Sequence, residues 1–195
     1  MISLVNDFSA ILDTCVLLPI ALCDFLLRLA EDPALYKPRW SREILAELER
    51  NLQGPRFGLT PEKAQYRIAC MESAFPEALV IDYESLTSSM PNDPKDRHVL
   101  AAAIYGKADA IVTQNHRDFP IEQLRRLGIV RLTADEFFTH QWYLDEDLVT
   151  GKFEAQALQY KKDVRVHLAL FRRTAPKFTS LITKSLGREE EPEKA

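Results

Sequence analysis

The chain has 195 residues, 46% hydrophobic and 28% charged, with a net charge of −4 at neutral pH. That balance describes a globular protein long enough to bury a real core, and it excludes the disordered and collagen-like classes. No apolar run reaches the ~20 residues that cross a bilayer, and the N-terminus lacks the basic-then-apolar pattern of a secretory signal, so a cytoplasmic protein without membrane contact is expected.

In chain order, residues 10–14 read as a buried strand, and Pro19 opens a helix to Glu31 with Leu22, Phe25, Leu26 and Leu29 as its apolar stripe. Leu35 to Trp40 is a second strand candidate, which Pro38 demotes to an edge or a loop. Ser41 caps a helix from Arg42 to Gln53, and Thr60-Pro61 opens another to about Ala74. Ala78 to Tyr83 reads as a strand and 84–92 as a polar loop. Asp93-Pro94 caps a helix from Lys95 to Lys107, followed by a strand, 110–113. A short helix (121–127) stops at Gly128, a strand covers 129–132, and Thr133-Ala134-Asp135-Glu136 is a capping box opening a helix through Tyr143. Strands alternating with helices predict an α/β body with a mainly parallel sheet. Beyond about Asp145 the pattern is helical only, over 145–162 and 164–186.

The charge is unevenly spread. Residues 1–151 carry 15 basic and 23 acidic side chains, while 152–188 carry nine basic and two acidic. An acidic body with a basic appendage suits a polyanion or an acidic partner. The expected division is an α/β domain over 1–144, a helical extension over 145–187 and a disordered acidic tail over 188–195. Cys15, Cys23 and Cys70 follow no pairing pattern, and the four histidines have no zinc-ligand spacing, so neither a disulfide framework nor a zinc site is expected.

Asp13 stands inside the apolar run Ala10-Ile11-Leu12-Asp13-Thr14-Cys15-Val16, where an ionised carboxylate is costly unless something pairs with it. In an open parallel sheet the ligand site lies beyond the carboxyl ends of the strands. Asp13, Asn115 and Asp118 fall on one such edge, and Asp96 lies on the inward face at the start of its helix. Oxygen ligands gathered on one edge suit Mg²⁺ or Mn²⁺. Each acid also has a plain structural reading: Asp13 and Asp118 in caps or turns, Asp96 at the third position after the Asp93 cap. The helix 42–53 offers Glu43, Glu47 and Glu49 as a further ligand, and periodicity leaves the choice open.

Four stretches carry a resemblance: Ile11 to Leu17, Trp40 to Leu48, Asp93 to Ala103, and Ile111 to Pro120. In this order and spacing the chain resembles a PIN domain over roughly residues 9–140, in particular a VapC-type toxin ribonuclease. The resemblance implies a three-layer α/β/α fold and metal-assisted hydrolysis of RNA. It assigns Asp13, Glu47, Asp96 and Asp118 as catalytic and metal-holding acids, with Thr113 and Asn115 supporting them. Asn115 stands where relatives of this type also carry Asp, which shifts the charged role to Asp118. A cognate VapB-type antitoxin and a homodimer are also implied. Arg117 and the 152–188 segment are rim candidates for the RNA backbone, and Trp142, Tyr143 and Phe153 are candidates for stacking bases. The competing readings are a non-catalytic PIN-like module that binds RNA or protein, and a housekeeping RNA-processing nuclease. A haloacid-dehalogenase-like phosphatase would need an acid where Cys15 stands.

Overall fold

The computed structural model describes residues 7–189. Five strands, β1 (Ser9–Leu12), β2 (Lys37–Ser41), β3 (Leu79–Val80), β4 (Ala110–Val112) and β5 (Val130–Leu132), form one sheet in the order β3-β2-β1-β4-β5, with every pair parallel. Helices α1 (Thr14–Leu17), α2 (Ile20–Ala30), α3 (Arg42–Gln53), α4 (Pro61–Ala74), α5 (Glu84–Thr87), α6 (Arg97–Tyr105), α7 (Ile121–Arg126) and α8 (Ala134–Leu144) connect and flank them. The central strands β1 and β4 are buried along their whole length and, Ser9 apart, apolar, as a parallel sheet covered on both faces requires. This is the expected three-layer α/β/α architecture.

Local chemistry sets most boundaries. Ser41 Oγ accepts from the Ile44 N–H (3.2 Å), Thr60 caps α4 ahead of Pro61, and Thr133 with Glu136 closes a reciprocal capping box. Gly128 adopts φ +73° after α7, a left-handed turn that favours glycine.

Several expectations change. β2 is an interior strand despite Pro38. The Lys37 N–H donates to Phe8 on the β1 side (2.9 Å), so Pro38 faces the β3 side, and β3 pairs only with Trp40 and Ser41. The missing N–H therefore falls where no neighbouring strand asks for one. The strand expected over 78–83 shrinks to β3, and the 84–92 loop contains α5. The helix expected from Lys95 begins as a 3₁₀ turn, Pro94–Asp96, before α6. The long helix expected over 164–186 is two, α10 (Val164–Leu168) and α11 (Pro176–Glu189). Asp135 of α8 splits it by accepting the Lys177 and Phe178 N–H groups (3.2 and 2.9 Å), which caps a new helix at Pro176. Of the acidic tail expected over 188–195, the first two residues fall at the end of α11 and the rest lie outside the described residues.

Helix α9 (Glu146–Gln159) packs on α2 and α8, and α11 packs on α8. Phe25 of α2 joins Phe138, Phe153, Phe171 and Phe178 at ring separations of 5.0–5.8 Å, so the C-terminal helices share the main core. Gln156, fully buried, donates to Ala21 O (2.8 Å) and Asp24 Oδ2 (2.7 Å) while its Oε1 meets His167 Nε2 (2.8 Å).

Candidate active site

The register of β1 and β4 pairs Leu12 with Val112, so the next residues, Asp13 and Thr113, leave the sheet side by side at its carboxyl edge. Asp13 is 5% exposed. It makes no side-chain cap to α1; instead its Oδ2 accepts from the Thr113 hydroxyl (2.6 Å) and the Cys15 thiol (3.1 Å). Burial outweighs these donors and holds the Asp13 pKa above the usual carboxylate range. The same surroundings, with Asp13 itself, push the Cys15 thiol up to about 12. Thr113 Oγ1 also accepts the Asn115 N–H (2.9 Å), which fixes the start of the 114–120 loop. Buried Phe119 and the Arg131 guanidinium, donating to His116 O (2.8 Å) and Phe119 O (2.9 Å), pin the remainder.

Three glutamates on α3 were open candidates. Burial of Ile44, Leu45, Leu48 and Leu52 turns the helix so that Glu47 faces the Asp13 edge, where its Oε2 accepts from Thr14 Oγ1 (2.9 Å). Buried His98 stands between its neighbours, with Nε2 3.9 Å from Glu47 and Nδ1 3.8 Å from Glu43. Glu43 thus lies across the His98 ring, and Glu49 meets Gln53 and Gln65 instead.

Asp96 occupies the cap position of α6 yet makes no cap bond; Asp93 takes the capping work by accepting the Lys95 N–H. The freed Asp96 carboxylate accepts from Asn115 Nδ2 (3.1 Å), and burial, Asp118 and Asp13 raise its pKa to about 7. Asp118 differs. Its Oδ2 accepts from Asn115 Nδ2 (2.5 Å) and pairs with Lys95 Nζ (2.6 Å), and these two partners lower its pKa to about 2.

A cleft of about 230 Å³ results, walled by Asp13, Thr14, Cys15 and Leu18, by Glu47 and Asn51 of α3, and by Lys95, Asp96 and Asn115. Asp13, Glu47 and Asp96 therefore meet in one cleft with Asn115. Thr113 lies beneath Asp13, and Asp118 stands behind Asn115 rather than in the wall. Lys95 and Asn51 went unread in the sequence, although Lys95 adjoins Asp96 and Asn51 follows Glu47 by one helical turn. Among the expected rim groups, Lys152 is committed elsewhere: its Nζ donates to Arg28 O (2.8 Å) and Glu31 O (3.0 Å). Phe153 is fully buried in the aromatic core and Trp142 nearly so, which removes both as stacking platforms, whereas Tyr143 is exposed.

The donor set fits a hard divalent cation. Three carboxylates line the cleft with a single ammonium, and burial first, then the neighbouring acids, disfavours the charged forms of Asp13 and Asp96, which a bound cation would favour. Among the described residues no three His, Cys, Asp or Glu side chains stand close enough together, as placed, to hold a metal ion.

A family model described as "PIN domain" matches residues 9–117. Over 70 residues the chain is 41% identical to "Putative ribonuclease VapC50" of Mycobacterium tuberculosis, a stretch that covers 36% of this chain and 41% of that protein. The chain thus matches about two-fifths of that relative's length. No solved structure matches it.

Proposed function

The chain belongs to the PIN-domain family, and from that premise we propose that it is a divalent-metal-dependent endoribonuclease, the toxin of a VapBC-type toxin–antitoxin pair. The observation that carries the reading is the convergence of Asp13, Glu47 and Asp96 on one cleft at the carboxyl edge of the sheet, with Asp13 buried and short of positive charge. The partial match to a protein named a ribonuclease supplies the substrate class.

In this reading Asp13, Glu47 and Asp96 hold Mg²⁺ or Mn²⁺, with Asp118 acting through Asn115 or directly. The bound ion would polarise a phosphate oxygen and lower the pKa of an attacking water. Thr113 holds the Asp13 carboxylate at the cleft by donating to its Oδ2, which offsets part of the burial penalty on its charged form. Thr14 orients Glu47 by donating to its Oε2. Asn115, tied to both Asp96 and Asp118, sets the spacing of those two acids. A metal-free acidic cleft repels RNA, so substrate binding and ion binding are coupled. Arg117 and the exposed basic residues of the C-terminal segment are the proposed backbone contacts, a VapB-type antitoxin and a second copy of the chain the proposed partners, and the cytoplasm the proposed site of action. No helix among the described residues is long and apolar enough to cross a membrane.

The test is cleavage of total RNA by purified protein with Mg²⁺ or Mn²⁺, beside Asp13→Ala and Asp96→Ala. Discrete fragments that vanish with chelator and in both variants are expected. Inert wild-type protein that still binds RNA or a small protein partner would replace the enzyme by a binding module. An active protein with no antitoxin-like reading frame beside its gene would point to an RNA-processing role.

A further inference from the structure

Lys95 carries the one cationic side chain that lines the acidic cleft. Its backbone is fixed: Pro94 precedes it and its N–H is held by Asp93 Oδ1 (3.1 Å). Its side chain is 66% exposed, yet the ammonium reaches in to Asp118 Oδ2 at 2.6 Å, where Asp118 is only 14% exposed. A fixed pivot with a flexible four-carbon stem lets the ammonium leave Asp118 without disturbing the fold. Asp118 keeps a second donor, Asn115 Nδ2, when that happens.

The acids about the cleft differ for this reason. No cationic side chain acts on Asp13, whereas Lys95 pairs directly with Asp118 behind the cleft wall and bears on Asp96 only electrostatically. A divalent ion that recruits Asp118 must first displace the ammonium, and a displaced ammonium at the cleft mouth faces solvent, where a phosphate oxygen can reach it. We infer that Lys95 is a built-in counter-ion that competes with the divalent cation for Asp118 and, once displaced, becomes the cleft's own contact to an RNA phosphate. The inference rests on the nuclease reading above and adds a residue to it.

The measurement is Mn²⁺ binding to the full-length protein, followed by the loss of the free-ion electron-resonance signal, for wild type, Lys95→Gln and Lys95→Arg. Each is made with and without Asp118→Asn. Removing an exposed ion-pair partner should tighten Mn²⁺ binding in Lys95→Gln by about two- to fivefold. Lys95→Arg should behave as wild type, and the gain should disappear once Asp118 is Asn. Cleavage at saturating Mn²⁺ should show the opposite sign, with kcat/KM for RNA reduced in Lys95→Gln and recovered in Lys95→Arg. Unchanged or weaker Mn²⁺ binding in Lys95→Gln, while wild type still cleaves with metal, overturns this role alone. A wild-type protein that neither binds Mn²⁺ nor cleaves RNA removes the nuclease reading, and this role with it.

Discussion

The Thr113 hydroxyl lies 2.6 Å from Asp13 Oδ2, a hydrogen bond that exists because the parallel register of β1 and β4 delivers both residues to the same edge. The same oxygen accepts the Asn115 N–H, so one hydroxyl ties a buried carboxylate to the loop that carries Asn115 and Asp118. Thr113→Val preserves shape and deletes both bonds. It leaves an N–H without its partner and should cost about 1–3 kcal/mol in urea unfolding. It should also raise the Asp13 pKa further and weaken Mn²⁺ binding, whereas Thr113→Ser should restore both. Equal Mn²⁺ affinity in Val and Ser variants would remove Thr113 from the site.

Asp13 sets function against stability. The residue is 5% exposed and its charged form is disfavoured by burial. Asp13→Asn keeps the shape and removes the charge, so the metal-free variant should unfold at higher denaturant concentration than wild type, by about 1 kcal/mol or more at neutral pH. Its RNA cleavage should fall at least about 100-fold, beyond what loss of an outer partner of a metal site commonly costs. A destabilised Asp13→Asn would mean that the carboxylate is compensated within the protein and needs no ion.

The pH dependence follows from the same crowding. Asp96 has its pKa raised from 3.8 to about 7, so between those values the folded chain holds more protons than the unfolded one. Stability of the metal-free protein should therefore fall as pH rises through that window. Asp118, lowered to about 2, works the other way, but its contribution is complete above 3.8 and is lost only as pH drops towards 2. Thermal unfolding with chelator should give a lower Tm at about pH 8 than at about pH 5, and excess Mn²⁺ should reverse the order by binding the ionised form. A Tm that climbs steadily from about pH 5 to 8 without metal would contradict the crowded-carboxylate account.

Much of this was legible because it is local. Ser41, Thr60-Pro61 and the Thr133–Glu136 box announce α3, α4 and α8 through bonds made within one turn. The choice of Glu47 over Glu43 was not local. Both stand on the same helix one turn apart, and what separates them is His98, brought in from α6 and standing between the two. Asp96 looked like a capping residue because the cap position is what the sequence shows; the release of its side chain depends on Asp93 doing that work. The break before Pro176 likewise needs Asp135 of α8, which is 41 positions upstream of Pro176.

The C-terminal helices should prove inseparable from the sheet domain. Phe25 and Phe138 come from the first 144 residues, Phe153, Phe171 and Phe178 from the rest, and all five are fully buried against one another. Ending the chain after Leu144 would expose the faces of Phe25 and Phe138 together, a patch that promotes association. It would also remove the Gln156 amide from the Ala21 carbonyl and from Asp24, which would keep only Arg28. Phe171→Ala should cost about 3–5 kcal/mol in urea unfolding, as deletion of a buried ring does. Gln156→Leu, which leaves the Nε2 of buried His167 facing an alkyl group, should cost about 1–3 kcal/mol. The shortened chain should aggregate or elute far above the size of a monomer. Should residues 1–144 instead remain monomeric and cleave RNA like the full chain, the shared aromatic core contributes nothing that the sheet domain needs, and the basic C-terminal segment becomes a detachable arm.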